Sequence, residues 1–162
     1  MTGYSLGKRS EASLVGVHPD LAKVVRRAIS ITGVDFSVIE GVRTYRRQCE
    51  LYGCGRLPTE LVKAGVPAGL SKPHDKVVTW TLVSNHFKQH DDYGHAVDMV
   101  PYPIDWKNSA RFDLMADAMF TAAKELGIQI RWGADWDGDG KSRERGETDS
   151  PHFELLKSAY KK

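Results

Sequence analysis

Three short segments, far apart in the chain, constrain this sequence more than anything else in it. They are Ser84-Asn85-His86, Gly94-His95-Ala96-Val97-Asp98 and Asp149-Ser150-Pro151-His152. They supply two histidines, a carboxylate to complete a metal site, and a second carboxylate three residues before the last histidine. Three N/O ligands leave the fourth position of Zn²⁺ open to water, the arrangement of a catalytic rather than a structural site. A spare carboxylate beside such a water is what metal-assisted hydrolysis needs as general base. A fold that uses this set must bring three distant pieces of backbone to one point.

Periodicity suggests how. His18-Pro19-Asp20 opens a helix, with proline suited to the first turn and aspartate to its positive end. Leu21, Val24, Val25, Ala28 and Ile29 follow at helical spacing, and Gly33 lies beyond. Phe36–Ile39 alternates like a short strand ended by Gly41-Val42-Arg43-Thr44. Tyr45–Leu51 reads as a helix stopped by Gly53 and Gly55. Prolines 58, 67 and 73 mark 56–76 as loop, with a helical turn near Glu60–Lys63. Val77–Val83 is β-branched and aromatic and reads as a strand, with Ala96–Tyr102 as its antiparallel partner. Ala110–Leu126 is the clearest helix, with Phe112, Met115, Met119, Ala123 and Leu126 along one face and Gly127 as its stop. Ile128–Trp132 and His152–Leu156 are two further strands. The expected fold is α+β: a small antiparallel sheet with flanking helices, one domain over residues 1–162.

Strand alternation sorts the candidate ligands. Asp98 shares a face with Ala96, so His95 and Val97 point the other way. His152 and Glu154 share a face, leaving Phe153 and Leu155 for the core. With His86 just beyond one strand and Asp98 in the next, a hairpin carries both to one ion.

The combination of His with Gly-x-Ala-x-Asp and Asp-x-x-His resembles the peptidase M15 family, which includes D-Ala-D-Ala carboxypeptidases and the L-alanyl-D-glutamate endopeptidases used as phage endolysins. The family motif Ser-x-His-x-x-Gly-x-Ala-x-Asp is met at Ser84, His86, Gly94, Ala96 and Asp98, and Glu/Asp-x-x-His at Asp149 and His152. Ser5–Ser10, His18–Leu21, Phe36–Thr44 and Arg131–Trp136 look like the endolysin branch, so the resemblance covers nearly the whole chain. It implies zinc on His86, Asp98 and His152, with Asp149 as base. It also implies an active-site role for Arg43 of the Gly-x-Arg-Thr element, binding a substrate carboxylate or polarising the scissile carbonyl. One departure stands out: Phe87–Tyr93 separate His86 from Gly94, five residues more than His-x-x-Gly allows. That makes His90 a rival first ligand, because its spacing to Gly94 is only one residue too long. The Ser-x-His element favours His86, with the polar insertion bulging into solvent.

Asp135-Trp136-Asp137-Gly138-Asp139-Gly140 matches the start of an EF-hand loop, with acids at loop positions one, three and five and glycine at six. Position twelve is Gly146 rather than glutamate, flanked by Glu144 and Glu147. A related acidic loop in some phage endolysins of this family binds Ca²⁺ and regulates activity, so the resemblance makes Asp135, Asp137 and Asp139 candidate regulatory calcium ligands, with a solvated acidic turn as the alternative.

Composition excludes rather than selects. A net charge of +2 gives no reason to expect a nucleic-acid partner. No run approaches the roughly 18 apolar residues of a membrane span, so no membrane insertion is expected. Cys49 and Cys54 read as two free thiols. No apolar h-region follows Met1, so the expectation is synthesis in a host cytoplasm and action on the wall after holin-type release. A monomer is expected, and the resemblance to the endolysin branch implies a zinc endopeptidase that cuts the peptide stem of peptidoglycan between L-Ala and D-Glu. A D-Ala-D-Ala carboxypeptidase and a non-catalytic metal-stabilised wall-binding module are the alternatives.

Overall fold

The computed structural model describes residues 3–144 and 146–160; the one-domain reading extends over five further positions that lie outside them. A short helix, α1 (Lys8–Ser13), has too little apolar periodicity to be read from sequence, and it is fixed instead by the Ser10 hydroxyl accepting the Val38 N–H at 3.0 Å. The helix α2 (Pro19–Ile31) begins where expected. Proline fills its first turn, and His18 Nδ1 accepts the Asp20 N–H at 3.0 Å. All five of its periodic apolar residues are buried. Thr44 caps α3 (Tyr45–Gly53), which runs two residues past Leu51, and α4 (Pro58–Lys63) is a full short helix within the loop region. Asn108 caps α5 (Ser109–Leu126), and Gly127 ends it in the left-handed region at φ 69°. Phe112, Met115, Met119 and Ala123 are buried as expected. Leu126 is not: it lies past the last buried positions, Ala122 and Ala123, and is 42% exposed.

Four strands form one antiparallel sheet in the order β1-β2-β4-β3: β1 (Phe36–Glu40), β2 (Ala96–Pro101), β3 (Ile130–Gly133) and β4 (Asp149–Leu155). Alternation divides the sheet into two faces. Val38, Val97, Met99, Trp132, Phe153 and Leu155 point into the core shared with α2 and α5. Register sets the opposite face. Glu40 lies across from Asp98, Asp98 from His152, and Glu154 from both Ala96 and Arg131. Cross-strand neighbours on one face have Cβ atoms about 4.5–5.5 Å apart, so the pairing alone brings Asp98 and His152 together. The fold is therefore α+β, a small antiparallel sheet with helices packed against it.

One expected strand is absent. Val77–Val83 pairs with nothing, and β2 takes β1 and β4 as its partners instead. The threonines explain this. Thr79 Oγ1 accepts the Thr81 N–H at 3.3 Å, Thr81 Oγ1 accepts the Val83 N–H at 3.0 Å, and Gln48 donates to the Thr81 carbonyl at 2.7 Å. Side-chain hydrogen bonds take the backbone groups a ladder needs, and Val78, Trp80 and Val83 are left exposed. His86 accordingly sits in a turn rather than beyond a strand end. The expected strands Ile128–Trp132 and His152–Leu156 are shifted to the bounds of β3 and β4. Cys49 and Cys54 are free thiols. Among the described residues no helix is long and apolar enough to cross a membrane.

Candidate active site

The polar face of the sheet opens into a cleft of about 450 Å³ whose lining includes His86, Asp98, Asp149 and His152. Asp98 and His152 arrive by register, and His86 arrives by a separate device. The turn carrying it lies along the segment after β1: the Arg43 N–H donates to the His86 carbonyl at 2.9 Å, and His86 Nδ1 bonds the Gly41 carbonyl at 2.8 Å. Gly41 is required there, since a Cβ would strike the Ser13 carbonyl oxygen.

These contacts also assign the ring protons. A carbonyl only accepts, so His86 carries its proton on Nδ1 and presents a bare Nε2. His152 is the mirror case: Nε2 bonds the Glu154 carboxylate at 2.7 Å, which leaves Nδ1 for the site. His86 Nε2 lies 3.4 Å and His152 Nδ1 3.3 Å from the same atom, Asp98 Oδ1. A tetrahedral ion with bonds of about 2.0–2.1 Å separates its ligand atoms by about 3.3–3.4 Å. His86 Nε2 and Asp98 Oδ1 are buried without a hydrogen-bond partner. Buried polar atoms without partners are rare, and electron-pair donors converge here on one point, so the donor set fits a divalent cation. Without metal the cluster holds a proton instead. Burial opposes charge on His152, yet the Asp98 carboxylate 3.3 Å away and the hydrogen bond to Glu154 outweigh it and push its pKa up to about 9. Burial likewise opposes charge on Asp98, but its two histidine partners hold its carboxyl well below the usual range.

Asp149 stands apart from this trio. It begins β4, keeps half its side chain open to the cleft, and approaches His152 Nδ1 only to 3.9 Å. The protein crowding its buried side pushes its carboxyl pKa up, and the nearby Asp98 charge adds to this. It is a free carboxylate poised beside the cluster.

Arg43 faces inward. It forks onto Glu40 at 2.7 and 2.9 Å, donates to Gln48 Oε1 at 2.8 Å and to Asp98 Oδ2 at 3.4 Å. Four of its five N–H groups are thus committed, leaving one for a substrate. Its evident work is to hold Asp98 by Oδ2 so that Oδ1 faces the histidines. Sequence reasoning missed Glu40 and Gln48, whose parts in the site come through Arg43. It also missed Asn85 and Arg131. His90 is exposed at the tip of the insertion, its ring 6.1 Å from that of His95. The insertion does not bulge freely: Asp91 bonds His95 Nε2 at 2.8 Å and lies 3.6 Å from His18 Nε2, which ties the loop to the start of α2. Those three residues are close enough to suggest a metal site. However, the lone pair of His18 Nδ1 is already taken by the Asp20 N–H, so Nε2 carries the proton and donates.

In the acidic loop, Asp135, Asp137 and Asp139 converge, and Asp137 also meets Glu144 and Glu147. Asp135 Oδ1 is buried and unpartnered. Glu144 has its pKa raised to about 7, chiefly by sharing a hydrogen bond with Asp139 and further by the charges around it.

Similarity to known proteins agrees with this architecture. The model of the family described as phage L-alanyl-D-glutamate peptidase matches residues 2–56 and 61–156. The L-alanyl-D-glutamate peptidase of Escherichia phage T5 is 32% identical over 159 residues, covering 94% of this chain and 98% of that protein. The crystal structure of the Serratia marcescens L-Ala D-Glu endopeptidase ChiX superposes with a TM-score of 0.63 at 34% identity, covering 95% of this chain and 92% of that one.

Proposed function

We propose that this chain, which belongs to the phage L-alanyl-D-glutamate peptidase family, is a zinc-dependent endopeptidase that hydrolyses the L-Ala–D-Glu bond in the peptide stem of peptidoglycan. The observation that carries the zinc reading is the approach of His86 Nε2 and His152 Nδ1, each to tetrahedral-edge distance, to the one atom Asp98 Oδ1. Zinc held by these three atoms would supply a Lewis acid and bring the pKa of water at the site toward about 7. The chain's own residues do the rest. Asp149 takes the proton of the attacking water, aided by the burial that raises its carboxyl pKa, and returns it to the leaving amine. Arg43 holds Asp98 in place, and it lines the cleft with one N–H uncommitted, a candidate partner for a substrate oxygen.

Mass spectrometry of the products from purified Gram-negative peptidoglycan tests the reading. New N-terminal D-Glu stems are expected, lost on chelation and restored by zinc. Released D-Ala would move the protein to the carboxypeptidase branch, and intact substrate despite bound zinc would favour a wall-binding module.

Calcium is the second proposed ion, held by Asp135, Asp137 and Asp139 with Glu144 and Glu147 nearby. The orphaned Asp135 Oδ1 supports it. Calcium needs ionised carboxylates. Glu144 is charged above about pH 7 and takes up a proton below it, so calcium affinity is expected to be weaker at pH 6 than at pH 8. Calorimetric titration at both pH values, with Asp137→Ala as control, checks this. Absence of heat in both proteins would remove calcium from the account.

A further inference from the structure

We propose that Glu154 is the positioning residue that prepares both histidines of this site for zinc: it fixes the ring tautomer of His152 and clamps the turn that carries His86. The inference rests on the zinc reading above. Glu154 lies in β4, two residues after His152, and is buried at 3% exposure in the wall of the cleft. A carboxylate this buried is costly unless donors surround it. Its donors come from three different parts of the chain. Oε1 accepts His152 Nε2 at 2.7 Å, while Oε2 accepts Asn85 Nδ2 at 2.7 Å and Arg131 Nη2 at 2.8 Å.

An ion pair with Arg131 alone would neutralise the charge. The other two bonds go to the segments that carry the histidines. The bond to His152 leaves Nδ1, the nitrogen facing Asp98, with its lone pair. The bond to Asn85 anchors the residue before His86, and the Asn85 carbonyl in turn accepts the His95 N–H at 2.8 Å. The turn is thus tied to β4 on one side and to the start of β2 on the other. Trp136 covers the assembly, with Arg131 4.8 Å from its ring centroid and the His152 ring at 5.2 Å. A carboxylate accepting the second N–H of a histidine ligand fixes its orientation and raises its basicity, and losing such a partner typically costs about 10–100-fold in metal affinity.

The test is zinc affinity of the full chain, measured by competition with a chromophoric chelator. Glu154→Gln keeps the shape but loses the charge, and one amide oxygen cannot serve three donors. The expected result is a loss of about 10–100-fold in zinc affinity with an unchanged circular dichroism spectrum. Co²⁺ loaded in place of zinc should show shifted visible bands in the same variant. Arg131→Ala, which keeps the His152 and Asn85 bonds, should lose much less. Equal zinc affinity in Glu154→Gln and wild type overturns the inference, as does an equal loss in Arg131→Ala. Should Glu154→Gln fail to fold, long-range ¹H–¹⁵N correlation on the zinc-loaded wild type decides. His152 protonated at Nε2 and coordinated through Nδ1 is expected, and coordination through Nε2 overturns the inference. A wild type that binds no zinc overturns the zinc reading and this inference together, whereas zinc bound without need of Glu154 overturns this inference alone.

Discussion

Asp149→Ala is expected to keep its zinc and lose about 10²–10⁴-fold in turnover, the usual worth of a positioned general base or acid. The two halves of that expectation come from separate observations. Zinc is retained because Asp149 is not among the converging residues: it lies 3.9 Å from His152 Nδ1, against 3.3 and 3.4 Å for the contacts that join the trio. Turnover is lost because, among the described residues, no other free carboxylate reaches the same place. Glu40 is spent on Arg43, and Glu154 on three donors. The backbone places Asp149 with little freedom. It opens β4 opposite Gly133, where a Cβ on the glycine would collide with the Asp149 carbonyl. Zinc content by metal analysis and turnover on peptidoglycan read the two halves independently. Zinc lost together with activity would make Asp149 a ligand, and full activity would remove it from the mechanism.

How much of this was legible beforehand depends on what each residue relies on. Strand alternation alone separates Asp98 from His95 and puts His152 and Glu154 together, because a period of two is a property of the local chain; register then brings the two sets to one face. The helices α2 and α5 were legible for the same reason: caps, a proline or a terminal glycine, and an apolar stripe lie within each segment. The failures are non-local. Val77–Val83 has strand composition, but two threonines and a glutamine from α3 satisfy its backbone, and no pattern within the segment reveals Gln48. β1, β2 and β4 are each legible as strands while the pairing of β2 with the other two is not, since pairing across distant sequence leaves no mark in either strand. Arg43 could be flagged by its motif. Its fork onto Glu40, which turns it from a substrate-facing group into a brace for Asp98, depends on the bend after β1.

His86→Ala is expected to abolish zinc binding and activity, while His90→Ala keeps most of both. Spacing alone left these two histidines in competition, because the insertion Phe87–Tyr93 breaks the motif. The structure separates them by their surroundings. His86 is 2% exposed, its Nδ1 proton is committed to the Gly41 carbonyl, and its Nε2 faces Asp98 with no other partner. His90 is exposed, and its ring lies beside His95, which β2 directs away from Asp98. Loss of a direct ligand should exceed the roughly 10–100-fold that removal of an outer partner costs. The alanine also strands the buried Gly41 carbonyl, at about 1–3 kcal/mol, so the metal-free variant should melt at lower temperature while remaining folded. Melting of both metal-free proteins therefore has to accompany the zinc titration. A folded His86→Ala that still binds zinc tightly, set beside an inactive His90→Ala, would place the insertion on the other side of the ligand and move the first metal contact to the loop tip.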